Sequence, residues 1–214
     1  MTEITKKQFV GGAFWKIVEQ FSTKGVSMIV SIILARILMP EDYGIIALTA
    51  IFTNLSDLLI DGGFSTALIR KENVDEYDYG CVFFINMCIA VVLYAILFLA
   101  APIVSEYYME PALVSVLRVI GLTLFIRGFS STRTAVVNRN MHFKFLFYCN
   151  TIASVISGIA GIISAIIGMG VWSLVIQQLL QQVLANLLLF IKIRWKIKWC
   201  FSLKRLNDLL SFSL

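Results

Sequence analysis

Reactive groups are scarce in this sequence. Its one histidine, His142, stands beside Lys144, so a histidine-built metal site is not expected. Four cysteines, Cys81, Cys88, Cys149 and Cys200, show no C-x-x-C spacing. They read as small apolar packing residues or free thiols, not as a disulfide frame or a metal site. Gly62 and Gly63 follow Asp61 without the Lys-Ser/Thr that a phosphate-cradling loop requires. No catalytic constellation is visible, and no cofactor is expected. Charge is thin as well, at 14% of the chain.

What fills the space is apolar. Hydrophobic residues make up 59% of the 214 positions, and the mean hydropathy is +0.86. A soluble domain of this length could not hide so much apolar surface. Trp15, Trp172, Trp195, Tyr107 and Tyr108 lie near the ends of apolar runs, where amphipathic rings favour the membrane interface. The expected fold is an all-α membrane protein. Cutting the apolar runs at charge clusters and Pro/Gly punctuation gives six spans, at about 14–38, 44–61, 81–102, 113–137, 146–167 and 170–191. Pro40-Glu41-Asp42 and Gly168-Met169-Gly170 read as tight turns between antiparallel helices. The polar connection 62–80 is expected to hold a short surface helix. The first span is too long and too charged for a cleavable signal peptide, so it should stay as an anchor. Residues 1–13 precede it, and 192–214 form a basic segment whose Leu203, Leu206, Leu209 and Leu210 approach a seventh helix.

Basic residues outside the spans fall on one side. Twelve of the eighteen Lys and Arg lie in the N-terminal segment, in connections 62–80 and 138–145, and in the C-terminal tail. None lies in turns 39–43, 103–112 and 168–169. That bias is expected to place the N-terminus, both long connections and the C-terminal tail in the cytoplasm; the expected location is the inner (cytoplasmic) membrane. The basic balance is thus a topology signal in preference to a nucleic-acid footprint.

The other six basic residues lie within spans, where charges cost several kcal/mol each unless satisfied. At roughly 100° per residue, Lys16, Gln20, Thr23, Lys24, Ser27 and Ser31 form one stripe of the first span, with Glu19 at its edge. Such a stripe must face other helices or a wet cavity. A second stripe in span four holds Thr123, Arg127, Ser130, Ser131, Thr134 and Asn138. Arg127 is too deep to reach water, whereas Arg118 and Arg133, nearer the ends, are expected to snorkel. Span six carries two amide rows, Ser173-Gln177-Gln181 and Gln178-Gln182-Asn186, suited either to solute contact or to bonding between helices. Ser154, Ser157, Gly158, Gly161, Ser164 and Ala165 give span five a packing face. Span three is apolar apart from Asn86 and is expected to face lipid. Asp57 and Asp61 share a helix face with Asn54. They read as partners for a cation, or, in an enzyme acting on polyprenyl phosphates, as holders of a metal.

Several segments in register carry a resemblance. Leu34-Ala-Arg-Ile-Leu-Met-Pro-Glu-Asp-Tyr-Gly44, Asp61-Gly-Gly-Phe-Ser-Thr-Ala-Leu-Ile-Arg70, Tyr107-Tyr-Met-Glu-Pro111, Asn138-Arg-Asn-Met-His-Phe-Lys144 and Gly168-Met-Gly-Val-Trp-Ser-Leu174 are similar to the Wzx-type polysaccharide and O-antigen flippase family. This is a branch of the multidrug/oligosaccharidyl-lipid/polysaccharide exporter superfamily, and the chain resembles its N-terminal half. The resemblance implies one six-helix lobe of a transporter with twelve or more helices. It implies translocation of lipid-diphosphate-linked oligosaccharide by alternating access around a cationic cavity, with no enzymatic step. Lys16, Lys24, Arg127, Gln177 and Gln181 are the candidate path residues, and Glu19, Asp57 and Asp61 their charge partners. Implied partners are the lipid-linked oligosaccharide, membrane lipids, the remaining C-terminal lobe, and a polysaccharide polymerase or glycosyltransferases. A cation-coupled drug exporter of the same superfamily is the nearest rival; it wants an acidic lumen, and the deep charges here are mostly basic.

Overall fold

The computed structural model describes residues 3–61, 76–139 and 143–192, with side chains over 14–60, 78–137 and 143–191. Six helices and no strand occur among the described residues: α1 (Glu3–Ala35), α2 (Pro40–Asp61), α3 (Glu76–Tyr108), α4 (Ala112–Arg139), α5 (Phe143–Ile166) and α6 (Val171–Lys192). Each is long and apolar enough to cross a bilayer. Six spans in the expected order follow from apolar composition alone, because a backbone in hydrocarbon must satisfy its hydrogen bonds within the segment. The surface helix expected in 62–80 and the approach to a seventh helix lie outside the described residues, except that 76–80 belong to α3.

Helix ends correct the sequence reading in three places. The first helix stops at Ala35, not 38, and its chain closes through backbone bonds from Arg36 to Ile33 and from Leu38 to Leu34. Pro40-Glu41-Asp42 is then the first turn of α2, not the turn before it. Proline suits that position because its missing N–H is one the helix leaves unbonded anyway. Asp42 reaches back and accepts a bond from the Met39 N–H at 3.2 Å, the reciprocal half of a capping box. In α3, Pro102 does not end the helix, which runs on to Tyr108. Its 31-residue apolar stretch reaches about 46 Å at 1.5 Å per residue, well beyond a hydrocarbon core of about 30 Å. Exposed Tyr107 and Tyr108 therefore fall at its emerging end.

Two turns use the same device. After α5, the Gly168 N–H bonds to the Ala165 carbonyl and the Met169 N–H to Ser164, with Gly168 at φ 89°. After α3, Met109 N–H bonds to Glu106 and Glu110 N–H to Ser105, with Met109 at φ 56°. Both are Schellman motifs, which need a left-handed residue one step past the helix. Glycine adopts it freely; methionine adopts it at a cost of about 1 kcal/mol.

The chain divides into two compact units. Among the described residues, one holds 3–46, 137–139 and 143–192, and the other holds 47–61 and 76–136. In the first, α1 packs on α5 and α5 on α6. Val30, Leu34, Ala165 and Leu174 form its core, with Tyr43 and Ile46 packed against them. Tyr43 Oη also donates to the Ser31 carbonyl at 3.2 Å, tying the start of α2 to α1. Small residues allow the closeness. A Cβ on Gly158 would come within 2.5 Å of Val30, and one on Gly161 within 3.0 Å of Gln177. In the second unit, Ile60, Ala90 and Leu124 are fully buried together.

Candidate functional site

The polar stripe of α1 is split by its packing. Glu19 is buried at 6% exposure and accepts two charge-assisted bonds. Lys16 Nζ donates to its Oε2 at 2.8 Å, and Asn150 Nδ2 of α5 donates to its Oε1 at 2.6 Å. The lysine side chain keeps 41% of its surface exposed while the carboxylate keeps 8%. Two donors satisfy a buried carboxylate that alone would be prohibitive in hydrocarbon. Asn150 was not singled out by the sequence. It is a lone amide in a span of small residues, and its only signal was a polar side chain near the same end of its helix as Glu19.

The other half of the stripe stays open. Gln20, Lys24 and Ser31 are exposed. At about 100° per residue, Lys24 lies about 80° around the helix from Lys16, turned away from the side that α5 covers. No described residue forms an ion pair or hydrogen bond with Lys24.

The three in-span cations of α4 are engaged, whereas Arg36, just past the end of α1, is exposed. Arg127 of α4 forms an ion pair with Asp57 of α2, Nη1 to Oδ2 at 2.9 Å, with side-chain exposures of 35% and 16%. This pair stands in the second unit. The Arg118 guanidinium lies 4.0 Å from the Phe98 ring centre, and that of Arg133 lies 4.4 Å from Phe129. Arg133 is 3% exposed. Its expected snorkelling is therefore corrected: the ring face of Phe129, one turn back on α4, holds the charge inside the unit. Asp61 closes α2, and its side chain lies outside the described residues.

The amides of α6 turn mainly inward. Gln181 Nε2 donates to Ser154 Oγ at 3.1 Å, and Gln177 rests against Gly161. Asn186 Nδ2 returns to the Gln182 carbonyl at 2.8 Å, while Gln178 is exposed. Gln177 and Gln181 thus join α6 to α5, as amides in a membrane commonly do. Asn86, in the span expected to face lipid, is instead fully buried and donates to Ser131 Oγ at 2.6 Å. One polar side chain in an apolar helix sets which face turns inward, because it needs a partner.

Six helices, each long and apolar enough to cross a bilayer, define a multi-pass membrane protein. A family profile described as "Polysaccharide biosynthesis protein" matches residues 33–214. The chain belongs to that family. Among curated relatives, it is 24% identical to the succinoglycan biosynthesis transport protein ExoT of Rhizobium meliloti, over 93% of this chain and 40% of the relative. It is 22% identical to the teichuronic acid biosynthesis protein TuaB of Bacillus subtilis, over 73% of this chain and 32% of that one. It is 18% identical to the lipopolysaccharide biosynthesis protein WzxC of Escherichia coli, over 81% and 35%. The chain spans 40% or less of the length of these relatives. No solved structure matches it.

Proposed function

We propose that the full-length protein translocates lipid-diphosphate-linked oligosaccharide across the cytoplasmic membrane for cell-surface polysaccharide synthesis, by alternating access around a cationic cavity. The observation that carries this reading is Lys24, the in-span cation that no described residue pairs with. A diphosphate crossing a low-dielectric barrier needs fixed positive charge at depth, since the desolvation of an uncompensated charge costs several kcal/mol. Lys24 supplies that charge, and exposed Gln20 and Ser31 on the same flank supply hydrogen bonds to phosphate or sugar oxygens. Lys16 and Arg127 already face carboxylates. They serve the path only when Glu19 or Asp57 releases them. Gln177 and Gln181 hold the lobe together and touch sugar only if α6 parts from α5.

The family description and the relatives' names support the polysaccharide side of this reading, since the family is described as polysaccharide biosynthesis and one relative is named a transport protein of succinoglycan biosynthesis. In the full-length protein, Lys24→Ala is expected to abolish glycan export at normal membrane abundance, while Lys24→Arg retains much of it. Normal export by a well-expressed Lys24→Ala protein sinks the proposal. The orientation is tested separately in a background lacking the native cysteines. A cysteine at Glu110 should react with an impermeant thiol reagent outside intact cells, and one at Asn140 only after the membrane is opened. The reverse pattern inverts the topology.

A further inference from the structure

The foot of α5 carries a cation of a different kind from those already described. Lys144 is the second residue of α5, at the edge of that helix's apolar stretch. Its ammonium lies 5.3 Å from the centre of the Trp15 ring. Trp15 is itself held by Phe147, at 5.6 Å between ring centres. Lys144 is exposed, and no carboxylate among the described residues pairs with it. Glu19, the buried acid of this unit, is already bonded to Lys16 and Asn150. A ring face attracts an ammonium by about 0.5–1 kcal/mol at an exposed site, but it approaches from one side. The outward N–H donors remain open.

Above Lys144 the outer face of α5 is continuous. Tyr148, Ile152, Ile156 and Ile159 follow at three- to four-residue steps, and all are exposed. On a helix that spacing makes one stripe. Reading along it gives a cation at the membrane edge, then an aromatic ring with a hydroxyl, then a methyl-rich rail into the hydrocarbon. This order matches the anionic head, polar neck and acyl chain of a phospholipid. The charge bias of the sequence puts this end of α5 on the cytoplasmic side, where anionic lipids act on basic juxtamembrane residues.

The geometry points to a binding site for an anionic phospholipid of the inner leaflet. Its phosphate bonds Lys144 beside Trp15, and one acyl chain lies along the Tyr148–Ile159 stripe. The site is independent of what the protein carries, so it stands or falls apart from the transport proposal.

The test is lipid retention by the purified full-length protein in native mass spectrometry, with phosphatidylglycerol and phosphatidylcholine offered at equal concentration. The wild type is expected to retain phosphatidylglycerol in preference. Lys144→Ala should weaken that retention about fivefold, the equivalent of about 1 kcal/mol for one lysine near an anionic surface. Lys144→Arg should preserve it, and Arg36→Ala, removing an exposed cation just past the opposite end of α1, should leave it unchanged. Tyr148→Ala gives a second reading of the same site and should lower retention of phosphatidylglycerol. Equal retention of both lipids by the wild type overturns the proposal, as does an unchanged preference in Lys144→Ala. Displacement of phosphatidylglycerol by equimolar polyprenyl phosphate also overturns it, and assigns the site to a carrier lipid instead.

Discussion

Two deep cations in this protein have opposite surroundings. Arg127, in the second unit, meets Asp57 at 2.9 Å and is largely spent on holding α2 to α4. Lys24, in the first unit, lies on an exposed polar flank with no partner among the described residues. A paired charge inside a membrane protein becomes costly when its partner is removed, whereas a charge without a partner is retained at a cost already. From sequence the two looked alike, each a basic residue on a polar helical stripe. Their environments separate them: one is tied to a carboxylate, and the other has no partner among the described residues.

The sharpest way to break this contrast is to remove the acid from the paired site. Asp57→Ala leaves Arg127 uncompensated in a span and is expected to cost about 3 kcal/mol, read as lost thermal stability and lower membrane abundance. The Asp57→Ala, Arg127→Ala double variant should recover part of it, as a double-mutant cycle requires for coupled residues. Equal tolerance of Asp57→Ala and Lys24→Ala would erase the distinction.

Next in size is the clasp on the closed side of α1. Asn150→Ala removes one charge-assisted bond from buried Glu19 and should cost about 1.5–3 kcal/mol, measured by thermal unfolding in detergent. Gly158→Leu acts on the same helix pair. Its side chain must displace Val30, and overpacking of this kind costs about 1–3 kcal/mol or more. A neutral Gly158→Leu would mean that α5 does not press on α1 there.

The smallest expected effect lies on the open side of α1. A Cβ on Gly25 meets nothing within 4 Å, so Gly25→Ala should stabilise the helix by up to about 1 kcal/mol. A loss of stability there would reveal a neighbour on a face of α1 that is open, about 100° around the helix from Lys24.

The number and order of spans were legible in the sequence because hydropathy reports them directly. Helix ends were less so. Pro40 was read as the turn itself because a proline marks a break without saying on which side the helix lies. Pro102 was read as a stop although a helix with its partners elsewhere can carry it. The packing role of Gly158 and Gly161 was also visible, since small residues at regular spacing have few other uses in a membrane. Partner choice was not. That Glu19 takes Asn150, or Asn86 takes Ser131, depends on how each helix is rotated against its neighbours. A lone amide in an apolar run leaves no stripe to read.

The central claim is that Lys24 acts through its charge on the cargo. It is tested most directly by restoring that charge chemically in the full-length transporter. In a background with Cys81, Cys88, Cys149 and Cys200 replaced, Lys24→Cys should be well expressed and fail to export glycan. Treatment with an aminoethyl thiosulfonate, which leaves an ammonium at position 24, should restore export. A neutral methyl reagent should not. Export by untreated Lys24→Cys, or equal recovery with the neutral reagent, contradicts the account.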